Sequence, residues 1–510
     1  WEQQCQQRRR ADDHLCLVAG ISKNQISELQ GNGYGSTQAL ADMPLPLPFK
    51  PQRGAPASFE RVQAQAAIQV AARHSGENEF EFLNVVPEFG FAALPEPSQG
   101  DVFFDIESDQ FVGEHGLEYL FGYSYTDGAG AEQYVQDWAF DRQGEKACFE
   151  RFVDFVTERR VTFPDMHIYH FGGYESGALK RLMGRYATRE DEVDNLLRGK
   201  VLVDLLTVTK HAIRASVERY SLKKLEPFCG YQRNTPLTEA NMALTKVTAG
   251  LELDDIPSIS EETKAVVASY NADDCFATSS LRDWLEELRA SRVSDGHDIP
   301  RPEPGQDGPS EELGEQQQRV LALIETLTQD VPVDPEERSQ EQQARWILAY
   351  ILDWHRRENK AVWWEKFRLQ DLSGLELLEE KAGIGRLQFL REVETSKTGI
   401  PTHRYSFEAQ DTDIRGDEGL HNVGGDKLGT AVIVSQEDQT IDIKKSKATA
   451  DVHPEGVFAH KFIDPKEQAA SLFRLGEYVV ENGIEGDGAY RSARELLLRN
   501  PLDIAGQPFQ

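Results

Sequence analysis

The sequence predicts an α/β domain on a mixed sheet with element order β-β-β-α-β-α, followed by a helical stalk and a small β-barrel. Three observations carry this. Three strand-like runs, VFFDIES, LEYLFGYSYT and EQYVQDWAF, follow one another across Gly- and Asp-containing turns, as in an antiparallel meander. Helical periodicity then alternates with the apolar run MHIYHF. Beyond residue 315 the pattern is first helical, then a series of short strands. The chain has 510 residues, 39% of them apolar, enough for several cores at about 100–200 residues per domain.

Charge and composition narrow the function. With 55 Lys+Arg against 86 Asp+Glu, the net charge is −31, which excludes a general basic coat for gripping nucleic acid. Any hold on phosphate must come from small basic clusters and should be weak and salt-sensitive. No run approaches the ~18 apolar residues that cross a bilayer, and WEQQCQQRRRADDH lacks the apolar core of a signal peptide. The expectation is a cytoplasmic protein with no membrane partner. Cys5, Cys16, Cys148, Cys229 and Cys275 are odd in number and form no CxxC pair, which favours reduced thiols over a disulfide framework or a self-contained zinc site. The opening Trp and the loop-like end LDIAGQPFQ suggest a piece of a longer protein.

Residues 1–42 carry the triplet Arg8-Arg9-Arg10, apolar positions at helical spacing and a Gly-rich turn, and read as a helical hairpin. Residues 43–99 read as linker and lead-in, starting with the Pro-rich stretch Met43–Pro56. The central domain spans 100–289. Its strands are followed by a helix over Glu145–Arg159, the strand Met166–Phe171, a helix from about Glu175 to Tyr186, and further helices to Arg289. Residues 290–314 are polar, acidic and rich in Pro and Gly, which marks a linker. The helical stalk covers 315–385 and includes Trp363-Trp364, a pair suited to stacking on bases and equally well explained by the core side of an amphipathic helix. The small β-barrel covers 386–463, with THRYSF, TAVIVSQ and TIDIKKS as strands, and helices fill 464–510. There is no internal repeat.

The chemistry begins in VFFDIES. A strand period of two places Asp105 and Glu107 on one face and Phe104 and Ile106 on the other. Two such carboxylates repel each other unless a cation lies between them, and hard oxygen ligands suit Mg²⁺ or Mn²⁺. A DxE pair alone is more often a solvated strand edge. Glu175 opens a helix just after MHIYHF, where an acid also simply complements the helix dipole. In YNADDCFAT, Tyr270 and Asp274 share a helical face at i, i+4, so a Tyr hydroxyl can orient water beside a metal-ligating Asp. Asp273 competes with Asp274 on position, and the spacing from Tyr270 favours Asp274. Asp204 is either an auxiliary carboxylate or a helix cap. Lys180-Arg181, Lys223-Lys224 and Lys444-Lys445 are the local phosphate contacts on offer, each more often a solvated face. No GxxxxGK[ST] occurs, and GGDKLGT lacks both its spacing and its Lys-Ser/Thr pair, so ATP hydrolysis is unsupported.

Taken in order over Val102–Trp284, these elements resemble the DEDD exonuclease superfamily of the ribonuclease H-like fold, in the subgroup whose third motif is YxxxD. The resemblance assigns Asp105 and Glu107 to motif one, and Tyr270 and Asp274 to motif three, followed by Thr278. Motif two departs, with His170 where Asn is usual and Tyr174-Glu175 in place of Phe/Tyr-Asp. HIYHFGGYESGALKRLMGRYATREDEVDNLL, VLVDLLTVTKHAI, RYSLKKLEPFCGY and YNADDCFATSSLRDWL look like the YprB-type domain of the RecB-like putative nuclease family fused to a DNA helicase. CQQRRRADDHLCLVAGIS resembles the tail of that family's RecB-like nuclease domain, and 315–499 the stalk and barrel before its helicase core.

The resemblance implies a 3′–5′ exonuclease-like enzyme acting on DNA in preference to RNA, within a nuclease–helicase protein of DNA repair or processing. Asp105, Glu107, Glu175 and Asp274 would hold two Mg²⁺ or Mn²⁺ ions, and Tyr270 would align water. His170, Lys180, Arg181, Lys223 and Lys224 would assist nucleic-acid binding. An iron–sulfur cluster would need cysteines upstream of Cys5. A non-catalytic nucleic-acid-binding scaffold is the alternative, favoured by His170 and Glu175, and an endonuclease with the same metals is a third.

Overall fold

The computed structural model describes residues 2–500 apart from 52–55, 114, 187, 304–310, 333–336, 371, 373, 375, 379, 398, 409, 425–426 and 462–463, together with 503–504 and 507–508. The chain divides into two compact units, Trp1–Asp307 and Gly308–Gln510. Among the described residues no helix is long and apolar enough to cross a membrane.

The first unit starts with helices Glu2–Ala11, Lys23–Gly31, Thr37–Ala41 and Pro56–Ser75. Leu15, Val18, Leu29, Leu40, Phe59 and Val62 form their core, and Met43, Leu47 and Phe49 of the Pro-rich stretch pack into it. This layer is tied to the rest of the unit by polar bonds. Gln65 Nε2 donates to Ala215 O at 2.9 Å, and Arg10 grips Glu218 through both guanidinium Nη atoms.

The strand β1 (Phe80–Phe82) pairs with β7 (Ile213–Ala215) in a small antiparallel ribbon. The main sheet contains β2 (Val102–Asp109), β3 (Leu117–Thr126), β4 (Glu132–Trp138), β5 (Ile168–His170) and β6 (Leu202–Asp204), in the order β4-β3-β2-β5-β6. The pairs β2–β3 and β3–β4 are antiparallel, while β5 and β6 run parallel to β2. The expected mixed sheet and its meander are present. β2 lies at the centre of the order, paired along both edges, and helices cover both of its faces. On one face Phe104 stacks on Phe152 of the helix Arg142–Thr162, ring centroids 3.8 Å apart, burial worth roughly 1.5–3 kcal/mol per ring.

The other face of β2 meets the helix Glu261–Ser294, the longest helix described. Its apolar positions Cys275, Ala277, Leu281 and Leu285 are fully buried. Two polar anchors fix its register. Arg282 Nη1 donates to Asp101 Oδ2 at 2.6 Å beside Phe103 and Tyr169, and Asn271 Nδ2 donates to Asp105 Oδ2 at 2.7 Å. The helix extends five residues beyond Arg289, to Ser294, and residues 304–310 of the expected linker lie outside the described residues.

In the second unit, helices Glu311–Thr328, Gln340–Leu352 and Lys466–Asn482 share a core of Val320, Leu323, Leu348, Leu352, Leu475 and Val479. Helices from both ends of this unit therefore pack together. The side chains of Trp363 and Trp364, on the helix Trp354–Gln370, lie outside the description.

The β region contains β8 (Gly383–Gly385), β9 (Gln388–Thr395), β10 (Pro401–Ser406), β11 (Gly419–Asn422), β12 (Lys427–Ser435), β13 (Thr440–Lys445) and β14 (Gly456–Ala459). They form one antiparallel sheet in the order β8-β14-β11-β12-β13-β10-β9. The expected barrel is not closed. Closure needs the two end strands to pair, but β8 is only three residues long and β9, eight residues long, is exposed throughout.

Gly122 on β3 stands opposite Asp105 in register. A Cβ there would overlap Asn271 Oδ1, and Asn271 is fully buried and doubly bonded, so it cannot yield. Gly122→Ala should therefore destabilise the fold by about 1–3 kcal/mol. In thermal or denaturant unfolding, the double variant Gly122→Ala/Asn271→Ala should lose less than the sum of the two single changes. Additive losses would show that the two residues do not compete for the same space.

Candidate metal centre in the acidic cleft

Three separate segments bring carboxylates to one place. β2 presents Asp105 and Glu107, the first turn of the helix Tyr174–Tyr186 presents Glu175, and the middle of the helix Glu261–Ser294 presents Asp274. With Tyr270 and Lys223 they line a cleft of about 300 Å³, so all five residues singled out as catalytic come together. One carboxylate oxygen from each of Asp105, Glu107 and Asp274 lies within 4.8 Å of the others. Among the described residues this is the group of side chains that could hold a metal ion. Glu175 is outside the trio but walls the same cleft, and its buried Oε2 has no hydrogen-bond partner.

Each acid has a distinct setting. Asp105 is bound by Asn271, whose Oδ1 accepts from Tyr134 OH at 2.8 Å. Burial, and then the charges of Asp274, Glu107 and Glu175, push the Asp105 carboxyl well above its ordinary range. Burial and the Asp274 charge likewise push Glu107 up to about 7, against a smaller opposing pull from Lys223. Burial and the Asp274 charge hold Tyr270 up at about 12, so its hydroxyl keeps its proton at neutral pH.

Asp274 differs because its charge is already compensated. Lys223 Nζ donates to Oδ2 at 2.7 Å and Arg233 to Oδ1. Both cations also lie over the Tyr270 ring, 4.9 Å and 5.3 Å from its centroid. Asp273, its neighbour, is structural. It accepts from Tyr231 OH at 2.8 Å, Asn234 N at 3.0 Å and Thr235 N at 2.9 Å, pinning the loop that delivers Arg233. Asp204 caps the helix Leu205–Ala212 and accepts from Gly172 N, so it is not a cleft carboxylate. Thr278 bonds back to Asp274 O within its own helix.

The basic and His candidates divide. His170 is 2% exposed and cannot meet a phosphate from solution. Its Nδ1 lies 2.6 Å from Gly172 O and 3.5 Å from Glu175 Oε2, which places the proton toward the carbonyl and makes His170 a support for the Glu175 turn. Arg181 is held by Glu118 at 2.5 Å over the Tyr174 ring and is not a free phosphate contact. Lys180 lies on the same helix and does not line the cleft. Lys223 is spent on Asp274, while Lys224 is exposed and faces another cavity. Lys444 lies in β13, and Lys445 is buried with its Nζ on Val452 O.

Sequence reasoning missed Asn271, Tyr134, Gly122 and Arg233. Asn271 alone carried a local signal, since it shares the Val267–Asp274 helical face with Tyr270.

The donor set suits a hard divalent cation. Two protonation-prone carboxyls, a third within reach and an orphaned Glu175 oxygen form an acidic site short of positive charge. A second ion would have to compete with Lys223 and Arg233 for Asp274.

The raised Glu107 fixes a pH dependence. Between its ordinary value of 4.5 and about 7, the unfolded chain ionises while the folded one keeps the proton. Stability of the metal-free protein should therefore fall as pH rises through that window and level off above it. The thermal midpoint should show this decline, Glu107→Gln should reduce it, and Mn²⁺ should flatten it by neutralising the ionised carboxylates. A decline of the same size in Glu107→Gln would assign the effect to other groups.

A family model described as the RNase_H superfamily matches residues 102–286, the segment that runs from the first residue of β2 into the Asp274 helix, past Asp274. No curated protein matches the chain. The match and the β4-β3-β2-β5-β6 sheet together make this segment a ribonuclease H-like domain, which points to a nuclease-type hydrolase that binds nucleic acid.

Proposed function

We propose that the ribonuclease H-like domain is a divalent-metal-dependent nuclease that cleaves phosphodiester bonds in DNA in the manner of a 3′–5′ exonuclease. The convergence of Asp105, Glu107, Glu175 and Asp274, from three distant segments, on one cleft with Tyr270 at its wall carries this reading. Asp105, Glu107 and Asp274, with Glu175 beside them, would hold two Mg²⁺ or Mn²⁺ ions. Bound there, the ions supply Lewis acidity for water activation and for the leaving oxygen. Asn271 keeps Asp105 aimed into the cleft. The Tyr270 hydroxyl, protonated at neutral pH, holds the attacking water in line. The YprB-type resemblance supports a setting in a larger nuclease–helicase protein of DNA repair or processing, with helicase and RecB-like modules as covalent partners.

With Mn²⁺, the protein should shorten a 5′-labelled single strand stepwise, and Asp105→Asn should slow this at least roughly a hundredfold. A ladder unchanged in Asp105→Asn would remove the assignment. Cleavage of a covalently closed circle would show an endonuclease with the same site.

The double hold of Lys223 and Arg233 on Asp274 favours a second reading, a non-catalytic nucleic-acid-binding scaffold in which these side chains do the work of the cations. Calorimetric titration with Mn²⁺ separates the two. The nuclease should bind the ion and lose that binding in Asp274→Ala, whereas the scaffold should give no saturable heat.

A further inference from the structure

The basic triplet near the amino terminus has no part in the acidic cleft, yet the fold brings it close to the residue after Lys223. A second cavity, of about 500 Å³, is lined by Arg9 and Arg10 from the helix Glu2–Ala11 and by Glu218, Arg219, Ser221 and Lys224. Its acid is already matched, because Arg10 closes a two-pronged bond on Glu218 at 2.5 Å and 2.7 Å.

Arg9, Arg219 and Lys224 are different. All three are exposed, and among the described residues their side chains make no hydrogen bond, ion pair or ring contact. In a chain of net charge −31, where Arg73, Arg151, Arg189 and Arg282 all hold carboxylates, three unmatched cations around one hollow stand out. Like charges so gathered repel one another, a cost that a polyanion relieves. Ser221, also in the lining, is the N-cap of the helix Leu222–Cys229 but makes no side-chain capping bond, so a hydroxyl and the positive end of a helix join the cations.

The connection to the acidic cleft is a single helical turn. Lys223 and Lys224 are consecutive in its first turn, and one lines each cavity. Successive side chains of a helix diverge by about 100°, and a helix with its side chains is roughly 10–12 Å across. An extended strand could therefore pass from one cavity to the other around this turn.

We propose that the cavity between the amino-terminal helix and the Glu218–Lys224 turn holds the phosphodiester backbone of single-stranded nucleic acid leading to the acidic cleft. Arg9, Arg219 and Lys224 take the phosphates, and Arg10 with Glu218 keeps the helix in place. The proposal rests on the reading of the acidic cleft as a nucleic-acid site and requires no hydrolysis.

The test is fluorescence anisotropy of a fluorescein-labelled oligothymidylate in EDTA, comparing wild type with Arg9→Glu/Arg219→Glu/Lys224→Glu. The triple variant should bind roughly tenfold more weakly or worse, and the slope of log affinity against log salt should become shallower by about 2, at ~0.7 per lost single-strand phosphate contact. The corresponding Gln variants should move both quantities in the same direction by less. All three side chains are exposed and unbonded, so the thermal midpoint should not fall. Wild-type affinity and slope in the triple variant would overturn the proposal. If that happens while Asp105→Asn abolishes strand shortening, the cavity assignment fails alone. If the triple variant binds weakly while wild type cleaves nothing, the nuclease reading fails and the cavity assignment stands.

Discussion

The hydrogen bond from Asn271 to Asp105 is the contact on which the site depends. It joins the central strand to the long helix that carries Tyr270 and Asp274, and it exists only because Gly122 lets the two approach. Asp274 and Arg282 sit on that same helix, so its placement against β2 also places Asp274 in the carboxylate trio and Arg282 on Asp101. Packing of Leu281 and Leu285 supplies adhesion but little register, because apolar contact is non-directional. Directional bonds at two points, at Asp105 within β2 and at Asp101 just before its first residue, convert adhesion into a fixed geometry.

Charge is distributed unevenly across this frame. Four carboxylates face one cleft, but the cations that reach it both converge on Asp274. Asp105 and Glu107 are left to stay buried by holding protons or by acquiring a cation, and their upward shifts register that shortage. Lys223 and Arg233 thus preorganise one wall of the cleft and leave the other deficient. An ion arriving on the Asp105–Glu107 side meets carboxylates without a prior salt bridge, whereas one approaching Asp274 must first loosen two.

Much of this site was legible in the sequence because its signals are local. The two-residue period of VFFDIES places Asp105 with Glu107, and the i, i+4 spacing places Tyr270 with Asp274. The mixed sheet followed from the order of its elements. The partners of these residues were not legible, because they come from far along the chain. Asn271 lies 166 residues from Asp105, Lys223 lies 51 from Asp274, and Arg233 lies 41 from it, and no local period couples such pairs. Lys223 therefore looked like a surface lysine. Barrel closure failed for a related reason, since strand periodicity says nothing about whether the first and last strands are long enough to meet.

Motif two is where the chain departs from the resemblance most, and the structure gives that departure a physical form. A Glu in place of Asp reaches one methylene further, so the turn that bears it must be held firmly for its carboxylate to share a cleft with Asp105. His170 contributes to that hold by closing on Gly172 O, and Asp204 by accepting from Gly172 N, so the same glycine is bound on both its backbone groups. Gly172 adopts φ +100°, a conformation that L side chains rarely take, which keeps the turn between β5 and the Glu175 helix short. The longer acid and the His before it thus belong to one arrangement. His170 serves as a buried brace instead of the nucleic-acid contact that the resemblance implied, and Glu175 walls the cleft with its Oε2 buried 3.5 Å from His170 Nδ1.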